Sequence, residues 1–77
     1  MEVYTVDLQA GVRHSSAPHT PGIIEHVVVS EGRADIGPDG ASAVLEAGDR
    51  IRFPADRAHH YEALEHPVRL IAILDYP

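Results

Sequence analysis

Turn chemistry interrupts this chain at short intervals, and that spacing limits what it can fold into. Ala10-Gly11, the proline-rich stretch Ser16–Gly22, Glu31-Gly32, Gly37-Pro38-Asp39-Gly40, Gly48-Asp49, Pro54 and Glu65-His66-Pro67 cut it into brief runs. Glycine supplies positive φ, proline presets φ, and aspartate bonds back to its own backbone. No run between these signals has helical apolar period or a capping pattern. Several instead alternate apolar and polar residues, the period of a half-buried strand. The reading is about eight short strands: Val3–Leu8, Val12–Ser15, Ile23–Ser30, Arg33–Ile36, Ala43–Leu45, Arg50–Phe53, His59–Leu64 and Val68–Leu74, the last a central one. Short strands bounded by turns indicate an all-β fold, a small sandwich or barrel.

Two stretches carry most of the information. Ile23–Ser30 is apolar on both faces: Ile23, Val27 and Val29 with Glu25 on one, and Ile24 and Val28 with His26 and Ser30 on the other. Strands covered on both sides read this way. One face would line the interior, and the other would meet a second sheet or a second subunit. Glu25 stands out, because a carboxylate on an interior face is costly unless something pairs it. The second stretch runs from Gly48 to His59. Ile51 and Phe53 face inward and Arg50 and Arg52 outward. Pro54, with no N–H for a sheet ladder, ends the strand. His59 then opens the next strand just past the corner.

Length and charge set limits. Seventy-seven residues allow one domain, residues 1–77, and one core. A chain this small buries only roughly 60–65% of its unfolded surface. It has no cysteine for a disulfide, so a metal or a partner subunit is the usual remedy. A homodimer is therefore expected. Twelve acids against six basic residues give a net charge of −6, which disfavours direct contact with nucleic acid or an anionic membrane. No apolar run approaches the roughly 20 residues of a membrane-spanning helix, and no secretory signal opens the chain. The expected compartment is the cytoplasm. No phosphate-cradling loop and no glycine-elbow nucleophile is visible.

The spacing Gly48, five residues, Pro54, four residues, His59 resembles the second motif of the cupin superfamily. Glu25, six residues, Gly32 resembles the end of its first motif, with fifteen residues between the two motif glycines. The segment His19–Val29, with Gly48-Asp49, Phe53-Pro54-Ala55-Asp56, His59, Tyr61–Leu64 and Tyr76-Pro77, is similar to the C-terminal sensor domain of Xre-type helix-turn-helix regulators. The resemblance covers nearly all of the chain, from about Val3 to Pro77, without a helix-turn-helix part. It implies a small antiparallel cupin β-barrel of jelly-roll type, and a domain that senses a small molecule.

Metal-binding cupins hold a divalent ion on first-motif histidines and a glutamate and on a second-motif histidine. Carried onto this chain, the resemblance implies His19, Glu25 and His59 as metal ligands. The other first-motif histidine position falls near Ala17. Asp56 stands where the second motif has glycine, and Ala63 where it has a late asparagine. Two imidazoles and one carboxylate suit a first-row divalent ion such as Zn, Mn, Fe or Ni. The other outcome is a metal-free pocket in which Glu25 pairs with a protonated His59 or His19. Phe53 and Tyr61 complete the expected ligand pocket. The second functional reading is a small metal-dependent enzyme of dioxygenase or isomerase type, with Tyr61 giving acid–base help; the third is a dry interaction module. His26 and His60 are out of phase with Glu25 and His59, and so are placed at an interface or the surface. His14 and His66, near turns, are expected to be solvated.

Overall fold

The computed structural model describes residues 1–77 and contains eight strands and no helix. They are β1 (Glu2–Leu8), β2 (Arg13–Ser16), β3 (Ile24–Glu31), β4 (Arg33–Pro38), β5 (Ala43–Glu46), β6 (Arg50–Pro54), β7 (His59–Ala63) and β8 (Val68–Asp75). Two four-stranded antiparallel sheets form, ordered β1-β8-β3-β6 and β2-β7-β4-β5. The expected strands are all present, with ends moved by one or two residues. The largest change is at β4, which continues through Gly37 and Pro38 to pair with His60 and His59. The turn there is left to Asp39 and Gly40.

The core lies between the inner faces. Strand β8 shows the rule: Val68, Leu70, Ala72 and Leu74 are buried, while Arg69 and Asp75 are exposed and Ile71 and Ile73 half-buried. Val27 and Val29 of β3, Ala34 and Ile36 of β4, Phe53 of β6 and Tyr61 and Ala63 of β7 join Val68, Leu70 and Ala72 in one cluster, while Leu74 packs with Ile23 and Ala55 in a smaller one. Period-two alternation thus supplies one apolar wall from each sheet. The outer face of β3 is only half-buried, at Ile24, His26 and Val28.

Gly32 joins β3 to β4 with φ +83°, and a Cβ there would stand 2.4 Å from the Pro67 carbonyl oxygen. Both the left-handed backbone and the close approach require glycine. The adjoining bulge shifts the β3–β8 register between Val29 and Glu31. Downstream, Gly48 at φ +93° donates its N–H to Val29 O at 2.8 Å. The two motif glycines therefore fix both ends of the β4–β5 hairpin against β3, and with them the strand that carries Glu25.

Candidate functional site

Glu25, His59 and Tyr61 arrive at one place because each sits on the inward phase of its strand. Glu25 lies opposite Phe53 of β6 and Leu74 of β8. His59 and Tyr61 are two residues apart on β7, so both point inward. His19 comes from the loop before β3, which is tied down by its own N–H to Ala55 O at 2.8 Å. Glu25 and His59 are each only 1% exposed. One nitrogen from each histidine and one oxygen of Glu25 lie within 4.8 Å of one another. The structure thus brings together the three residues expected to share an ion.

The proton arrangement is specific. His59 Nδ1 is 2.8 Å from the Arg57 carbonyl oxygen. A carbonyl only accepts, so Nδ1 carries the proton. In the neutral ring Nε2 is then a bare lone pair, 3.3 Å from Glu25 Oε1. That distance suits an ion pair if the ring is doubly protonated, but no hydrogen-bond geometry joins the two atoms and Nε2 has no partner. A buried imidazole lone pair facing a buried carboxylate oxygen leaves two acceptors without a cation between them. A divalent ion or a second proton on His59 resolves this. An ion with bonds of about 2.1 Å keeps its ligand atoms within about 4.2 Å of each other, so the group needs to contract only by about half an ångström.

The other oxygen, Glu25 Oε2, accepts a hydrogen bond from the buried Tyr61 hydroxyl. Burial, then the hydrogen bond to Glu25, then the glutamate's charge push the phenol well above its ordinary range. Tyr61 therefore stays protonated near neutral pH and acts as a donor to Glu25.

A cavity of about 310 Å³ adjoins the cluster. Its lining includes His19, Glu25 and Tyr61, the apolar Val6, Ala72 and Leu74, and the polar Thr5, His14 and Ser16. Exposed Tyr4 and His14 also border it, so it opens to solvent. Phe53 is not in its wall. It packs behind, against the His59 ring at 5.5 Å between centroids. A larger depression of about 640 Å³ lies on the outer face of the first sheet, around His26, Val28 and Ile73. It holds none of the three clustered residues.

One histidine differs from expectation, and a second, exposed as expected, makes a contact the sequence did not show. His60 does point away from His59 but is buried, at 3% exposure. Its cross-strand neighbours Ser15 and Gly37 are small, which leaves room for a ring against the sheet. Asp39 Oδ1 lies 2.7 Å from its Nδ1 and Asp35 Oδ2 3.1 Å from its Nε2. His14 is exposed but not idle: its ring stacks on Tyr61 at 5.8 Å and 12°. Its pairing opposite Tyr61 across β2 and β7 puts it there, and register of that kind is not written in either strand. His26 lies on the outer face, as its phase implies.

Comparison with known proteins agrees with this fold. Residues 4–74 match the Cupin_2 family model, described as a cupin domain. The chain is 36% identical over 77 residues to the HTH-type transcriptional regulator SutR of Escherichia coli, covering 99% of this chain and 43% of that protein. It therefore spans less than half the length of that relative. The crystal structure of the Cupin_2 domain of an XRE family transcriptional regulator from Enterobacter cloacae superposes with a TM-score of 0.90 and 33% identity, over 97% of this chain and 80% of that one. An HTH_3 family transcriptional regulator from Vibrio cholerae gives a TM-score of 0.91 and 31% identity, over 97% and 42%.

Proposed function

The chain belongs to the cupin family, and from that premise we propose that it is a small-molecule sensor domain of the kind that accompanies a DNA-binding segment in transcriptional regulators. The observation that carries this is the cavity of about 310 Å³ bordered by His19 and Glu25, a volume at the small end of ligand sites. The regulator relatives supply the class of function. His19, Glu25 and His59 would hold one divalent ion, Zn, Mn, Fe or Ni, and the orphaned His59 nitrogen supports that assignment. Bound there, the ion would supply Lewis acidity and open coordination positions beside the cavity. The protein's own part is to fix two imidazoles and a carboxylate, exclude water behind them with Phe53, and present Val6 and Leu74 to the apolar part of a ligand. Ligand binding changes a regulator's state only through differential affinity for its two arrangements.

The domain works as a homodimer in this reading. The outer face of β3 and β8 carries half-buried Ile24, Val28, Ile71 and Ile73. Arg50, Arg52 and Asp75 flank it, and none of them enters an ion pair within the chain. Apolar residues flanked by unpaired charges of both signs suit a two-fold contact with a second copy. Sedimentation at micromolar protein tests this; a stable monomer refutes it. The acidic chain leaves DNA contact to another segment, and its place is the cytoplasm. No helix is long and apolar enough to cross a membrane.

In the second reading, that of a small metal-dependent enzyme, Tyr61 is already engaged as a donor to Glu25. Metal titration after chelation is the deciding experiment. One equivalent should bind the unaltered chain, and Glu25→Ala and His59→Ala should each lose it. No uptake, or equal uptake by the variants, refutes the metal assignment.

A further inference from the structure

We propose that Tyr61 is a positioning residue that presents Glu25 to the metal through a single oxygen. The inference rests on the metal reading above and adds to it how the carboxylate is used. Glu25 has two oxygens with separate partners: Oε2 accepts the Tyr61 hydroxyl hydrogen bond, and Oε1 faces His59 Nε2 at 3.3 Å. The phenol bond therefore occupies one lone pair of Oε2 and holds the carboxylate turned so that Oε1 is the oxygen offered to an ion. Tyr61 is itself well fixed. Strand β7 is paired on both sides, to β2 and β4, and the ring lies between His14, stacked at 5.8 Å, and His59, tilted at 6.4 Å.

The consequence is a coordination number. With Oε2 engaged, the chain offers three ligand atoms; with Oε2 released, it offers four. His19, Glu25 and Tyr61 all border the cavity, so a position left free on an ion there would be open to a ligand. Tyr61 thus keeps a place open for a ligand while never touching the ion. Outer partners of metal ligands do such work by fixing ligand orientation, and their loss typically costs about 10–100-fold in metal affinity.

Cobalt(II) titration of the full chain, followed by its visible d–d absorption, tests the proposal. Tyr61→Phe should lower the absorption per cobalt, as the released oxygen adds a ligand. Tyr76→Phe, which removes an exposed phenol hydroxyl outside the cavity, should retain the unaltered spectrum. If Tyr61 only filled space, Tyr61→Phe would shift the melting temperature and leave the cobalt spectrum alone; that result overturns the proposal. A measurement independent of any variant is the infrared difference spectrum of the unaltered chain on metal loading. A wide splitting of the Glu25 carboxylate stretches, one oxygen bound, supports it, and a narrow splitting, both bound, overturns it. Absence of Co²⁺ uptake by the unaltered chain removes the metal reading and this inference together, whereas uptake through both oxygens removes this inference alone.

Discussion

His59 and His60 are neighbours in sequence and opposites in situation. Both are almost completely buried. The His60 ring has a carboxylate at each nitrogen, Asp39 at 2.7 Å and Asp35 at 3.1 Å. Carboxylates only accept, so a ring that donates from both nitrogens satisfies every polar atom. His59 spends one nitrogen on the Arg57 carbonyl and leaves the other unpartnered beside Glu25. The β7 strand sends alternate side chains to opposite faces, so one imidazole clamps the outer face and the other enters the interior. A saturated buried histidine adds to stability; an unsaturated one beside a carboxylate lowers stability and makes a place for a cation. Local inconsistency of this kind is where function is expected to sit.

The sharpest way to break this contrast is to replace each ring by leucine. His59→Leu should reduce metal affinity at least about 100-fold, since a ligand itself is lost. The same change should leave metal-free stability within about 1 kcal/mol, because it removes a bare lone pair along with one hydrogen bond. Isothermal titration and denaturant melts read the two effects. If His59→Leu unfolds the chain, the ring is structural and the contrast fails. His60→Leu should do the reverse. It frees two partly solvated aspartates and should lower stability by about 2 kcal/mol, with metal affinity unchanged within a factor of about two. A large loss of metal affinity would mean that the two rings are coupled through β7. The smallest effect belongs to the periphery of the clamp. Arg13 reaches Asp39 at 3.4 Å and Glu62 at 3.2 Å, both in exposed positions. Arg13→Ala should therefore lower stability by no more than about 1 kcal/mol, and salt should erase the difference.

The fold was largely written in local signals. Turn residues and period-two alternation placed all eight strands, because in so short a chain nearly every strand has one face in the core. Gly32 and Gly48 were legible as motif glycines, and the structure gives their physical reason at Gly32: a positive φ and a carbonyl at contact distance. Glu25 was legible as an anomaly, since nothing apolar explains a carboxylate on that phase. What stayed hidden depends on cross-strand register. His60 shares its phase with solvent-facing Glu62, so phase alone puts it at the surface. Its burial needs Gly37 and Ser15 beside it and two aspartates from elsewhere. His14 was likewise invisible as a cavity residue, because only its pairing with Tyr61 places it. Phe53 was placed on the right face, but its ring is used behind His59 and not in the cavity wall.

Anomalous scattering at the cobalt edge, from crystals of the metal-loaded chain, tests the central claim most directly. A single site bonded to His19, Glu25 and His59 is the predicted result. A peak at the Asp35–His60–Asp39 clamp instead, or no ordered cobalt inside the barrel, would contradict the assignment of the unpaired imidazole to metal binding.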